Sequence, residues 1–178
     1  NLGNAYVAMA KAGDGKENSE RALGAYRNAL QVCSLRHFPR QYAATQINLG
    51  NVYLTIGDSE DLAKNCLRAL KASNEALKVY SLDNFPEDYA EAQGILWLAY
   101  LTLAEDEYKN ENCYLALEAC QERLKVYTID NYPRQYASCQ EDLAITFSML
   151  ADTEVSIEAK TFDLKRAVEA CEEAMRIY

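Results

Sequence analysis

The 178-residue chain holds a single histidine, three prolines and one tryptophan. With one histidine, most acid–base and metal constellations are poorly supplied. His37 falls in the same repeat position as Asn84 and Asn131, just ahead of a helix, so a turn or capping role is expected for it. No C-x-x-C pair occurs among the six cysteines, Cys33, Cys66, Cys113, Cys120, Cys139 and Cys171. A chain of this size needs no disulfide staples, so free thiols in a reducing compartment, the cytoplasm, are expected. Neither G-x-x-x-x-G-K-[ST] nor G-x-G-x-x-G is present, which removes the common phosphate-cradling loops. The acidic runs, such as Glu105-Asp106-Glu107 and Glu172-Glu173, lack the ligand order and central glycine of a calcium loop. They read as turns and solvated faces. No apolar run approaches the roughly 20 residues of a membrane span, and no signal peptide is visible. These absences predict a protein that is not an enzyme and that needs no cofactor or metal.

Positive charge is also in short supply. Lysine plus arginine is 18 and aspartate plus glutamate 27, a net charge of −9. Such a surface repels nucleic-acid backbones and anionic membranes, so a basic or apolar protein segment is the favoured partner class. Hydrophobic residues make up 49% of the chain, enough to bury a core.

What the chain does have is repetition. Phe38-Pro39 returns as Phe85-Pro86 and Tyr132-Pro133, at a step of 47. At the same step Leu2 becomes Leu49, Leu96 and Leu143, and Tyr6 becomes Tyr53, Tyr100 and Phe147. Asn1–Tyr6, NLGNAY, is nearly repeated at Asn48–Tyr53, NLGNVY, and the opening phrase lacks the start of its helix. A segment taken from a longer array is the expected reading of that start, and of the missing initial methionine. Units near 1–37, 38–84, 85–131 and 132–178 follow, together forming one domain. The fourth lags by four residues, about one helical turn, which predicts a longer turn or helix start there.

Each unit carries two amphipathic patterns. Tyr42, Gln46, Leu49, Gly50, Tyr53 and Ile56 recur at spacings of three and four, one face of a helix near 39–57. After the polar stretch Gly57–Glu60, the residues Leu67, Leu70, Ser73, Leu77 and Tyr80 mark a second helix near 62–81. The prolines suit first helical turns, and Asp83-Asn84 and Asp130-Asn131 ahead of them are candidate turn or cap residues. Nothing alternates with period two. A hairpin with one apolar stripe per helix must stack on a neighbour, which predicts an all-α solenoid. The small residues Gly3, Gly50, Ala22, Ala69, Ala116 and Ala167 are expected at close helix approaches.

Leu2-Gly3-x-x-Tyr6, Leu49-Gly50-x-x-Tyr53 and Ala22-x-x-x-Tyr26 resemble the tetratricopeptide repeat (TPR), whose helices carry L-G-x-x-Y and A-x-x-x-aromatic. The whole chain resembles long-unit arrays of this kind seen in prokaryotic multidomain proteins. The usual period is about 34, so each unit here is roughly 13 residues longer. Leu49 to Ala69 and Ala76 to Leu96 both span 20 residues, so the extra length is shared as longer helices. Gln46, Gln93 and Gln140 stand where the family often has tryptophan, and Trp97 occupies the slot of Gly50, where it is expected to displace a neighbour or open a pocket. HEAT and armadillo repeats overlap this period but lack the paired signature.

The resemblance implies an alpha-alpha superhelix whose first helices line a concave groove for a peptide or protein segment. The wall would comprise Asn1, Asn4 and Val7, then Asn48, Asn51 and Leu54, then Ile95, Leu98 and Leu101, then Asp142, Ile145 and Ser148, with Glu141 and Met149 beside them. Asparagines there would grip a peptide backbone, Ile95 and Leu98 would offer an apolar anchor, and Glu141 and Asp142 would select a basic end. No lysine or arginine stands on this wall to clamp a terminal carboxylate. Asn4 and Asn51 could equally be solvated or fix the stacking. Two rival roles stay open: self-association through uncapped solenoid ends, and the recognition arm of an enzyme whose catalytic domain lies elsewhere.

Overall fold

A computed structural model describes residues 2–13, 15–56, 62–105 and 108–177. Asn1, the polar stretch Gly57–Glu60, Asp106-Glu107 and Tyr178 lie outside the described residues. Eight helices follow in order: α1 (Leu2–Ala12), α2 (Gly15–Val32), α3 (Pro39–Thr55), α4 (Leu62–Ala76), α5 (Pro86–Leu103), α6 (Lys109–Leu124), α7 (Pro133–Ala151) and α8 (Ile157–Met175). No strand occurs among the described residues, so the fold is all-α. The chain forms two compact units, the first ending at Ile95 and the second beginning at Leu96. In the first, α1 packs on α2, α2 on α3 and α3 on α4; in the second, α6 packs on α7 and α7 on α8.

The prolines open α3, α5 and α7 at the 47-residue step. Phe38 and Tyr132, not an asparagine, hold the cap positions of α3 and α7, and no side chain caps either helix. Proline in the first turn has no N–H to satisfy, so less capping is required. The Asp-Asn pairs sit in the preceding turn, where the Asn84 N–H donates to Ser81 Oγ at 3.1 Å. The His37 N–H likewise donates to Ser34 Oγ at 3.3 Å, which makes His37 a turn residue. Phe85 adopts φ 65°, rare for an aromatic residue. Its ring is held edge-on to Tyr80 at 5.6 Å and under the Arg40 guanidinium at 4.7 Å.

The second helix of the second repeat ends earlier than its apolar pattern predicts. Beyond Ala76 the backbone tightens, with Val79 N–H bonding to Ala76 O, three residues back. That turn buries the Tyr80 ring. Leu67 also departs from its expected face and is exposed; the buried stripe of α4 is Cys66, Ala69, Ala72, Ser73 and Ala76. Small side chains there let the neighbouring helices approach closely. The four-residue lag of the fourth repeat appears as a helix start: relative to α6, α8 begins about one turn early, capped by Ser156, whose Oγ accepts from Ala159 N–H.

A polar staple recurs between helices. Tyr42 O–H donates to Glu75 Oε2 at 2.8 Å between α3 and α4, and Tyr136 O–H donates to Glu173 Oε1 at 3.4 Å between α7 and α8. Lys78 and Arg176 pair with the same two carboxylates. The Lys78 ammonium, and then the Tyr42 hydroxyl, hold the Glu75 carboxyl below its ordinary pKa. A lowered pKa stabilises the fold above the unfolded value, and that contribution is lost as pH falls through the folded one. Glu75→Gln should therefore reduce the acid-side loss of stability in urea titrations run between neutral and acid pH. Tyr42→Phe should cost about 1 kcal/mol at neutral pH.

Candidate partner-binding surface

One register position on the first helices is exposed in all four repeats: Asn4, Asn51, Leu98 and Ile145, spaced 47 residues apart. Neighbouring positions on the same helices pack inward. Leu49 and Val52 flank Asn51 and are buried, as are Leu143 and Thr146 around Ile145. A helix turns about 100° per residue, so this strip points away from the faces that hold the helices together.

In the first unit the strip is polar and internally bonded. Asn4 Oδ1 accepts from Tyr26 O–H at 2.7 Å, and Asn51 Nδ2 donates to Glu91 Oε1 at 3.2 Å. Each amide keeps further donor or acceptor capacity. Asn48 is half-buried beside them. In the second unit Leu98 and Ile145 present bare apolar surface, 40% and 47% exposed, with Glu141 exposed nearby in sequence.

Three expected wall residues do not reach solvent. Ile95 is 3% exposed and packs against Gly50, so close that a Cβ on that glycine would lie 3.1 Å from the isoleucine side chain. Leu101 is buried as well. Asp142 is buried in an ion pair with Arg123 of α6, so it is not free to select a basic ligand. Burial pushes the Asp142 carboxyl up from its ordinary pKa, and Arg123 opposes that shift. The Arg123 Nε–H is buried without a hydrogen-bond partner. Arg123 is the residue that helix periodicity missed. It stands in a slot held by Ala29, Ala76 and Ala174, and Asp142 stands where Ile95 does one repeat earlier. An arginine and an aspartate that replace Ala76 and Ile95 together were the available signal.

Trp97 fills its small-residue slot without capping a cavity described here. The indole packs on the second unit's core, around Cys120, Leu143 and Phe147, and Nε1–H donates to Thr146 Oγ1 at 3.0 Å. A separate cavity of about 360 Å³ in the second unit is lined by Tyr114, Leu117, Phe147, Phe162 and Arg166, among others. The Arg166 guanidinium sits 4.8 Å from the Phe147 ring centre.

No family model, curated protein or solved structure matches the chain. Its chemistry therefore rests on its own residues. Among the described residues no group of three or more histidine, cysteine or acidic side chains is placed to hold a metal. None of their helices is long and apolar enough to cross a membrane.

All six cysteines are unpaired, and Cys66, Cys113, Cys120 and Cys139 are buried. Burial pushes the Cys113 and Cys120 thiols up and carries Cys139 to about 11, which suppresses the reactive thiolate. In the native protein a thiol reagent such as dithionitrobenzoate should react quickly with exposed Cys171, more slowly with half-buried Cys33, and with the other four only on unfolding. Peptide mass mapping of the labelled sites checks this.

Proposed function

We propose that the chain is a TPR-like solenoid that binds an extended protein or peptide segment along the exposed strip of its first helices, without catalysis. The observation that carries this reading is the exposure of one register position, Asn4, Asn51, Leu98 and Ile145, in every repeat. The strip changes from amide to aliphatic along the sequence. That supports a ligand whose backbone meets the asparagines and whose apolar side chains meet Leu98 and Ile145. With the net charge of −9, the favoured segment is apolar with basic flanks. A reducing compartment, the cytoplasm, fits six unpaired thiols.

Panning a displayed library of random linear peptides against the chain tests the reading. Enriched peptides should bind in the micromolar range, about −8 kcal/mol by calorimetry. Asn4→Ala/Asn48→Ala/Asn51→Ala and, separately, Leu98→Asp/Ile145→Asp should each weaken them about tenfold or more, with helicity unchanged. Unchanged affinity in both variants would overturn the assignment of the strip.

A further inference from the structure

We propose that this chain assembles head to tail with further copies of itself, the outer face of α8 in one copy receiving α1 of the next. The inference does not depend on the peptide-binding strip, because it uses different faces of the repeat.

The argument starts from how one hairpin is covered by the next inside the chain. In α2 and α6 the slots on this face hold Tyr26 and Cys120, both no more than 1% exposed. The same slot in α4 is Ser73, whose Oγ–H donates to Ala92 O of α5, the next first helix. The α8 residues in these stacking slots are Leu164, Val168, Cys171 and Met175, at spacings of four, three and four. They form a stripe, and nothing described covers it: Val168 is 57% and Met175 68% exposed.

The opposite half of the same interface is bare on α1. Leu49, Leu96 and Leu143 are each at most 8% exposed, whereas their counterpart Leu2 is 64% exposed. Val52 and Ala99 are buried and Ala5 is exposed; Leu150 is 1% and Met9 51% exposed. Leu2, Ala5 and Met9 therefore present the face that every later first helix uses to stack. The two bare stripes are the complementary halves of a contact the chain already makes between its own repeats. A polar contact at the rim also finds a partner. Arg27 donates to Tyr53 O–H at 3.1 Å where α2 meets α3. The matching residues of the new junction are Glu172 on α8 and Tyr6 on α1, a carboxylate facing a phenol donor.

Such a contact joins unlike faces, so it does not close at a dimer. One helix face on each side is at the small end of stable interfaces, and association in the micromolar range or weaker is expected.

Sedimentation velocity on the whole chain, from low micromolar to millimolar, tests the inference. The mean mass should climb past that of a dimer. Val168→Glu/Met175→Glu blocks the α8 face and Leu2→Glu/Met9→Glu blocks the α1 face; all four sites are exposed, and circular dichroism verifies folding. If a glutamate pair unfolds, Val168→Ser/Met175→Ser and Leu2→Ser/Met9→Ser serve instead, with about tenfold weaker association expected. Each blocked variant alone should remain monomeric. An equimolar mixture of the two should form a one-to-one heterodimer and stop there, because each copy retains one usable end. A wild-type monomer at every concentration would overturn the proposal. So would continued self-association of either blocked variant, which would indicate a like-to-like face, or a mixture that forms no heterodimer.

Discussion

Asp142→Ala is expected to lower the unfolding free energy by about 3–5 kcal/mol, because it leaves the Arg123 guanidinium buried without its counter-charge. Arg123→Ala should cost a similar amount by stranding the carboxylate. The double variant Arg123→Ala/Asp142→Ile installs the residues that the preceding repeat has at these slots, Ala76 and Ile95, which are themselves 0% and 3% exposed. It should be close to wild type, or more stable by about 1–4 kcal/mol, since burial of both ions is no longer required. The unpartnered Nε–H of Arg123 adds to that expectation. Urea midpoints of the four proteins measure the cycle. In the Arg123→Ala protein burial acts on Asp142 without opposition, so its folded pKa lies above the unfolded one. The penalty for the charged form is then present above that raised pKa and relieved as pH falls through it. Stability of this variant should rise on mild acidification.

Tyr26→Cys is the second large effect. Tyr26 is 1% exposed, bonds to Asn4, and its ring lies so close to Gly3 that a Cβ there would overlap it. Loss of the ring should cost about 3–5 kcal/mol through the void above Gly3. Tyr26→Phe keeps the ring and should cost only about 1 kcal/mol for the lost bond. The third repeat suggests a compensating change. There the first-helix slot holds Trp97 and the second-helix slot Cys120, so the large ring has moved from one helix to the other. Gly3→Trp alone should be destabilising by overpacking, and Gly3→Trp/Tyr26→Cys should recover part of the loss of either single change. Thermal and urea unfolding of the four proteins settle the sign of the coupling.

Much of this architecture is legible in the sequence because it rests on local rules. Proline at the 47-residue step marks the starts of α3, α5 and α7, and the small residues at Gly3, Gly50, Ala22, Ala69, Ala116 and Ala167 are all buried at helix contacts. The exposed strip is legible for the same reason, since helical period alone fixes that Asn51 points away from Leu49 and Val52. Ile95 and Asp142 were beyond that rule. Their position borders both the strip and the stacking face, and burial there depends on what the adjoining helix offers: Gly50 against the isoleucine, Arg123 against the aspartate. The end of α4 was hidden because Leu77 and Tyr80 continue the apolar pattern while the backbone leaves the α-helix to bury the tyrosine ring. The aromatic cap positions, Phe38 and Tyr132, run against cap preferences because the following proline has already removed one donor.

The central claim is that a peptide lies on the exposed strip of the first helices. Titration of the isotope-labelled chain with a peptide enriched by panning, followed by nuclear magnetic resonance, tests it most directly. The account predicts that the Asn51 side-chain amide and the Leu98 and Ile145 methyl groups shift together at one saturating concentration, while Leu23 and Leu117 on the second helices stay still. Shifts confined to the second helices, with those three side chains unmoved at saturation, would contradict it.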